Sequence, residues 1–320
     1  MNGAVVGAMA LAVTIAATPV VIVVANRLGI VDRPGELKPQ TRPVPYLGGV
    51  AVFAGLIVGA ASGRPTTVVP LAMALALGVA DDRFDLTPTT RLVGQLAIGG
   101  TVVVTCPVHL PGVLGAIAIV VVTVVVINGV NLIDGLDMLA AGVIAVAAIG
   151  FAVVLHGAGR SLGIALAAAL AGFLLYNRPP ARVYLGDGGS YLLGTAATVL
   201  LVDAWAPGVA VPIGLAALAL VAVPVAEVAF ALVRRARGGR SLLAGDRGHP
   251  YDHLVARGWA PLAASVAYIA MQLLLTAGVL AAVHTTTMSA ALVVDLVAAA
   301  LLVVSAAATG ALTPDQEATA

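Results

Sequence analysis

Long apolar stretches follow one another along almost the whole chain, and they limit its possible folds more than any other feature. Hydrophobic residues make up 61% of the chain and charged residues only 10%, whereas a soluble domain carries about 25% charged residues. The stretches are unbroken, unlike the alternating strands of an outer-membrane barrel. Eleven of them approach or reach the length of a membrane-spanning helix, near residues 4–26, 47–63, 67–80, 92–106, 112–128, 139–156, 161–176, 189–205, 209–233, 262–283 and 288–310.

We therefore predict an all-α fold: a polytopic integral membrane helical bundle of about 10–11 transmembrane helices. A single membrane domain over residues 1–320 would end in a short polar tail, 311–320. The first stretch, from Ala4 to Ala25, has spanning length and no basic segment before it, so we interpret it as a span and not as a secretory signal. Cys106 is the single cysteine, which excludes an internal disulfide.

The basic residues divide the connecting loops into two unequal sets. The loops after the odd-numbered stretches hold 14 of the 16 Lys and Arg residues. By the positive-inside rule these five loops are cytoplasmic and the N-terminus is outside. Most acidic residues fall in or beside the same loops, so we expect an active site on the cytoplasmic face. A net charge of +1 gives no indication of nucleic-acid binding.

The second of these loops begins with two adjacent carboxylates, Asp81 and Asp82. Acidic groups oppose the dipole at the C-terminus of a helix, and two neighbouring carboxylates are costly to desolvate without partners. Binding of a divalent cation or proton transfer would account for them. We predict a functional role for the pair, with solvated helix-end charges as the alternative.

The third loop combines amides and carboxylates. If the helix continues, Asn128, Asn131 and Asp134 recur every three residues on roughly one face, and Asp137 lies one step further. Oxygen ligands of this kind suit Mg²⁺. The fourth loop adds Asp187 between glycines just before a span, although a plain turn would have a similar sequence.

The first and fifth loops supply positive charge. Lys38 lies in a loop rich in Pro and Gly, and the fifth loop, 234–261, contains Arg247, His249 and His253. Basic and histidine side chains can bind a diphosphate, although basic loops of this kind also contact anionic lipid. Zinc is a poorer alternative because nothing else completes a closed site. Together the loops indicate phosphoryl transfer at the membrane surface, with a lipid as the second substrate.

Five motifs, in this order, resemble those of the polyprenyl-phosphate N-acetylhexosamine-1-phosphate transferases, glycosyltransferase family 4. The chain looks most similar to the bacterial undecaprenyl-phosphate branch that uses UDP-N-acetylglucosamine. The motifs are Lys38 followed by Pro43-x-Pro45-x-Leu47-Gly48-Gly49, Asp81-Asp82-Arg83-Phe84-Asp85, Asn128-x-x-Asn131-x-x-Asp134-Gly135-x-Asp137, Gly186-Asp187-x-Gly189-Ser190, and the histidine-containing last loop.

The resemblance implies a reaction: a UDP-sugar and polyprenyl phosphate give polyprenyl-diphosphate-sugar and UMP, with Mg²⁺ or alternatively Mn²⁺. It also implies a lipid-bilayer setting in the cell membrane and a homodimer. The implied roles are Mg²⁺ ligation by Asp187 and Asn131, assistance to the attacking lipid phosphate by Asp81 with Asp82 beside it, lipid-phosphate binding by Arg91, and nucleotide-sugar binding by Lys38, Asn128, Asp134, Asp137, Arg247, His249 and His253.

The chain departs from the family pattern at four places. Gln40 replaces a frequent His, Met138 follows Asp137 in place of Gly, Glu227 replaces a usual Asp, and the last loop reads His249-Pro-Tyr-Asp-His253 in place of His-x-His-His. These departures leave the donor sugar open. A transporter or lipid flippase and a non-catalytic member of the same fold remain alternatives. We expect Asp203 to be a boundary residue and Asp295 to make a helix or oligomer contact.

Overall fold

The computed structural model describes residues 1–33, 42–106, 112–239, 241 and 248–313, and most of them are helical. Two short strands, β1 (Val31–Asp32) and β2 (Val44–Pro45), pair antiparallel in the first loop. The helices are α1 (Gly3–Leu28), α2 (Gly48–Gly63), α3 (Val68–Phe84), α4 (Pro88–Thr105), α5 (Gly112–Leu132), α6 (Leu139–Val154), α7 (Gly157–Asn177), α8 (Gly186–Asp203), α9 (Val211–Ala216), α10 (Ala222–Arg237), α11 (Pro250–Ala256), α12 (Pro261–Thr285) and α13 (Met288–Thr309).

Each predicted apolar stretch coincides with helix, so the predicted fold class is confirmed. Six segments of the described chain are long and apolar enough to cross a membrane by length and composition: α1, α5, α7, the segment Val211–Arg237, α12 and α13. Helices α2 and α6 are apolar but shorter. The chain is thus a multi-pass helical membrane protein.

The ninth predicted stretch is not one uninterrupted α-helix. Between α9 and α10 the segment Ala217–Val221 is a 3₁₀-helix. Pro224 has no N–H to offer the carbonyl of Leu220 four residues earlier, and the amide of Gln272 on α12 donates to that carbonyl at 3.4 Å. The proline removes one α-helical bond and a neighbouring helix satisfies the oxygen that this leaves.

Helix α8 lies at the centre of the bundle, and every residue from Gly188 to Asp203 is buried. It packs against α3, α5 and α2. Glycines allow the close approach: a Cβ at Gly49 would collide with the backbone of Gly189, and one at Gly78 with the backbone of Asp187. The first turn of α8, which carries Asp187, is therefore fixed against two neighbouring helices.

Asp203 ends α8, as expected of a boundary residue. Its carboxylate is also buried and paired, because its Oδ1 accepts a hydrogen bond from Arg64 Nη1 at 2.8 Å and the residue is only 5% exposed. A buried carboxylate needs such a partner. The sequence did not reveal the pairing because 139 positions separate the two residues.

Candidate active site

All five loops predicted to be cytoplasmic meet at one cavity of about 1010 Å³. Each of the five loops contributes residues to the cavity wall. All wall residues belong to the end of the bundle where these loops lie, so the cavity does not favour a transport path across the membrane. The lining includes Asp32, Arg42, Tyr46, Asp82, Asn131, Asp134, Asp137, Asn177, Tyr184, Asp187, His249, Tyr251 and Asp252.

Asp82 and Asp187 form the acidic centre of the cavity. Asp82 Oδ1 accepts from the Asp187 amide at 2.9 Å and its Oδ2 from the Gly188 amide at 3.2 Å, so Asp82 satisfies two free amides in the first turn of α8. Both carboxylates lie outside the predicted spans. Burial, followed by the charge of Asp187, raises the pKa of Asp82 to about 7. Burial, followed by the charge of Asp81, raises the pKa of Asp187 to about 6.

Asn131 stands against Asp187. Its Nδ2 donates to Asp187 Oδ1 at 2.6 Å and to Ser190 Oγ at 3.1 Å. It lies in the last turn of α5, and Asp187 lies in the first turn of α8. The structure thus brings together the two residues for which the resemblance implies metal ligation.

Asp81 lies behind the cavity, and the described lining does not include it. It is 5% exposed. Its Oδ2 accepts from the Tyr191 hydroxyl at 2.7 Å and lies 3.5 Å from Arg91 Nη1, and its Oδ1 accepts from the Leu86 amide at 3.0 Å. Asp81 therefore connects Arg91 on α4 to Tyr191 on α8. Tyr191 was missed in the sequence, although its place four residues after Asp187 puts both on one side of α8.

The third loop divides into two parts. Asp134 and Asp137 line the cavity. Burial is the largest cause of the raised pKa of both residues, and the charges of Asp187 and Asp82 raise the pKa of Asp134 further. Asp137 Oδ2 also accepts from the Ala181 amide at 2.9 Å.

Asn128, by contrast, is not in the described lining. Helix α5 ends at Leu132, so Asn128 and Asn131 are helical whereas Asp134 lies in the following turn. Asn128 Nδ2 donates to Gln95 Oε1 at 2.7 Å and to the carbonyl of Val124 at 2.8 Å. Its amide therefore ties α5 to α4.

The fifth loop reaches the cavity through the N-terminus of α11. His249 lines the cavity, and its Nδ1 lies 3.0 Å from Glu227 Oε2. His253 lies further along α11 and is not in the described lining. The predicted residues Lys38 and Arg247 lie outside the described residues, as does Gln40.

Residues not selected from the sequence complete the wall. Asp32, Tyr46 and Tyr184 line the cavity, and the Tyr46 hydroxyl donates to the carbonyl of Asp82 at 3.3 Å. Asn177 joins two loops, because its Oδ1 accepts from the Met138 amide and its Nδ2 donates to the carbonyl of Val183, both at 2.9 Å. Single polar residues in or beside these connecting segments carried no signal that distinguishes them.

The donor chemistry of the site fits Mg²⁺. Asp82, Asp134 and Asp187 offer hard oxygens, and burial, followed by the charges of neighbouring carboxylates, raises the pKa of each. Within the described ranges no three His, Cys, Asp or Glu side chains form a ready ligand cluster. Mg²⁺ does not need one, because it is usually held by one or two carboxylates together with substrate phosphates and water.

The fold and the cavity define a class: a multi-pass membrane protein with an acidic site where its polar loops meet at one end of the bundle. Residues 65–205 match Glycosyl transferase family 4. The chain is 31% identical over 314 residues to the decaprenyl-phosphate N-acetylglucosaminephosphotransferase of Mycobacterium tuberculosis, covering 80% of this chain and 76% of the relative. It is 30% identical over 288 residues to the undecaprenyl-phosphate alpha-N-acetylglucosaminyl 1-phosphate transferase of Escherichia coli, covering 81% and 78%. The chain belongs to glycosyl transferase family 4, a family of enzymes, as its motifs predicted.

Proposed function

We propose that this protein transfers N-acetylglucosamine-1-phosphate from UDP-N-acetylglucosamine to polyprenyl phosphate. An oxygen of the lipid phosphate attacks the sugar-bearing phosphorus, and the bond from that phosphorus to UMP breaks. The products are polyprenyl-diphosphate-sugar and UMP. The observation that carries the proposal is the meeting of five polar loops at one acidic cavity, with Asp82 and Asp187 at its centre. The names of the two relatives supply the sugar and the lipid.

The acceptor side of the site is assigned to Asp81, Asp82 and Arg91. Arg91 binds the lipid phosphate, and its ion pair with Asp81, at 3.5 Å, connects its guanidinium to the residue next to Asp82. Asp82, the member of the acidic pair that lines the cavity, accepts the proton of the attacking phosphate. Asp81 assists from behind it through its contacts with Arg91 and Tyr191. The Tyr191 hydroxyl holds Asp81 in place from the core of the bundle.

The donor side is assigned to the third, fourth and fifth loops. Asp187 and Asn131 hold Mg²⁺, or Mn²⁺ in its place, which when bound offsets the charge of the donor diphosphate. Asn128 supports this wall from behind through Gln95. The nucleotide-sugar is bound by Asp134, Asp137 and His249 in the cavity wall, with Lys38, Arg247 and His253.

The proposed setting is the cell membrane, with the N-terminus outside and the cavity open to the cytoplasm. The concentration of basic residues in these five loops supports this orientation. It places the site where a water-soluble nucleotide sugar meets a phosphate carried by a membrane lipid.

The test is an assay of purified protein in detergent with polyprenyl phosphate and a panel of UDP-sugars. We expect release of UMP with UDP-N-acetylglucosamine in Mg²⁺, loss of release in EDTA, and restoration by Mg²⁺ or Mn²⁺. Mass spectrometry of the lipid identifies the transferred sugar phosphate. Folded protein that releases no UMP with any UDP-N-acetylhexosamine would contradict the transferase proposal. Full activity in EDTA would contradict the metal requirement alone.

A further inference from the structure

Glu227 is a buried acid on a membrane helix, and the reaction as assigned above does not use it. It lies on α10 and is 2% exposed. An ionisable side chain at such a position is costly without partners. Both of its oxygens are engaged: Oε2 lies 3.0 Å from His249 Nδ1, and Oε1 accepts from the Tyr268 hydroxyl of α12 at 2.6 Å. The acid therefore links two spanning segments to the fifth loop.

His249 is held from several directions at the edge of the cavity. It is the N-cap of α11, and its backbone amide donates to Asp252 at 3.2 Å in a capping box. Its ring stacks on the ring of Tyr251, with centroids 5.3 Å apart and planes 8° apart. The Tyr251 hydroxyl donates to the carbonyl of Leu132, next to Asn131. Glu227 adds the contact to Nδ1, so the helix cap, the ring stack and this carboxylate together orient the imidazole.

We propose that Glu227 is a positioning residue that fixes the His249 ring in the cavity wall for recognition of the donor diphosphate. This inference rests on the proposed function. A carboxylate at Nδ1 selects the tautomer and the direction of a histidine ring. Glu227 itself does not line the described cavity, so it acts through His249.

The alternative is that Glu227 only joins α10 to α12 through Tyr268. A Tyr268→Phe variant separates the two roles, because it removes the bond to α12 and leaves the Glu227–His249 contact in place. Glu227→Gln is the conservative variant, since it keeps the length of the side chain and an oxygen that can accept from Nδ1.

The kinetic test compares Glu227→Ala, His249→Ala, the double variant, Glu227→Gln and Tyr268→Phe. Each alanine variant should lower kcat/KM for UDP-N-acetylglucosamine by about 10–100-fold, mainly through the donor KM, while the KM for polyprenyl phosphate stays constant. The double variant should be no worse than the poorer single variant, because the two residues act as one unit. Glu227→Gln and Tyr268→Phe should keep most activity. Additive losses, an unchanged donor KM in Glu227→Ala, or a Tyr268→Phe loss equal to that of Glu227→Ala would overturn the inference.

A second test needs no turnover. Diethyl pyrocarbonate modifies accessible imidazoles, and peptide mass spectrometry gives the rate at His249 relative to the exposed His284 of the same molecule. We expect this relative rate to rise several-fold in Glu227→Ala and to stay unchanged in Tyr268→Phe. An unchanged rate in Glu227→Ala would refute the positioning role. A wild-type protein that releases no UMP would refute the proposed reaction and leave this test decisive for Glu227.

Discussion

Two acidic residues occupy the two ends of α8, and their surroundings give them different tasks. Asp187 meets Asn131, Asp81 and the cavity. The carboxylate of Asp203 is paired with the guanidinium of Arg64. A carboxylate among other acids in a cavity wall indicates a ligand-binding role at the first end, and an ion pair with Arg64 indicates a structural role at the second.

This contrast gives a matched pair of variants. Asp187→Asn should reduce UMP release by at least about 100-fold with little change in the apparent Tm, because the neutral amide keeps the size of the side chain. Asp203→Asn should lower stability by about 1–2 kcal/mol and leave turnover per folded molecule unchanged. Differential scanning fluorimetry and the UMP assay measure both quantities. Near-wild-type turnover in Asp187→Asn would rule out its assignment as a metal ligand.

The raised pKa values also predict how pH affects the metal-free protein. The pKa of Asp82 rises from the ordinary aspartate value of 3.8, which applies to the unfolded chain, to about 7 in the folded protein. The folded state therefore binds more protons between these two values, and stability falls as pH rises from about 4 to 7. In EDTA, wild-type protein should gain apparent Tm when the pH is lowered from about 7.5 to about 6.

Asp82→Asn is the control for this pH effect, since it cannot ionise and should show a smaller gain. At a pH of about 7.5, where the carboxylate is largely ionised, Mg²⁺ should raise the apparent Tm of the wild-type protein. If the two proteins respond to pH alike, the carboxylate of Asp82 is not the group that titrates.

At this scale the sequence indicated which residue types matter but not always which contacts they make. Asp82, Asn131, Asp134, Asp137, Asp187 and His249 all reach the cavity. Asn128 does not, since its amide bonds to Gln95 on another helix. The Arg64–Asp203 pair and the Tyr191–Asp81 bond join positions 139 and 110 residues apart. Such pairings depend on helix packing, which periodicity within one segment does not determine.

Among the helices, the contact between α3 and α8 positions the site. At Gly78 the two backbones come so close that a Cβ would collide with the carbonyl of Asp187. Gly78→Ala should therefore displace the first turn of α8, cost about 1–3 kcal/mol and strongly reduce UMP release. Apparent Tm and turnover are the measurements.

Gly100→Ala is the matched control, because it lies in α4 and its Cβ would meet nothing within 4 Å. It should be neutral or more stable by up to about 1 kcal/mol, since alanine favours a helix. Equal losses in both variants would mean that a general intolerance of alanine, and not the approach of α3 to α8, explains the Gly78 result.

The elements themselves were largely predictable, because continuous apolar runs define membrane helices well. The 3₁₀ segment Ala217–Val221 was not, although Pro224 was visible in the sequence. A proline within a spanning helix has different outcomes according to what satisfies the freed carbonyl. Here that group is Gln272 of a helix later in the chain.

At the scale of the whole molecule, the proposed orientation can be tested with single cysteines. On a Cys106→Ser background, Pro207→Cys lies in an exposed loop predicted to be outside, and Arg178→Cys in an exposed loop predicted to be cytoplasmic. In intact cells a membrane-impermeant maleimide should label only the first, and permeabilised cells should label both. The reverse pattern would invert the topology and place the cavity outside.

The anchoring of α8 has a mechanical consequence for catalysis. Helix α8 is bonded to the rest of the bundle at both ends, through Asp82 at its first turn and Arg64 at its last turn. These contacts oppose translation and tilting of the helix. Any movement that admits a long isoprenoid or releases a spent nucleotide then has to come from elements around α8 and not from α8 itself. The carboxylate proposed to hold the metal, Asp187, then stays in place while the substrates come to it.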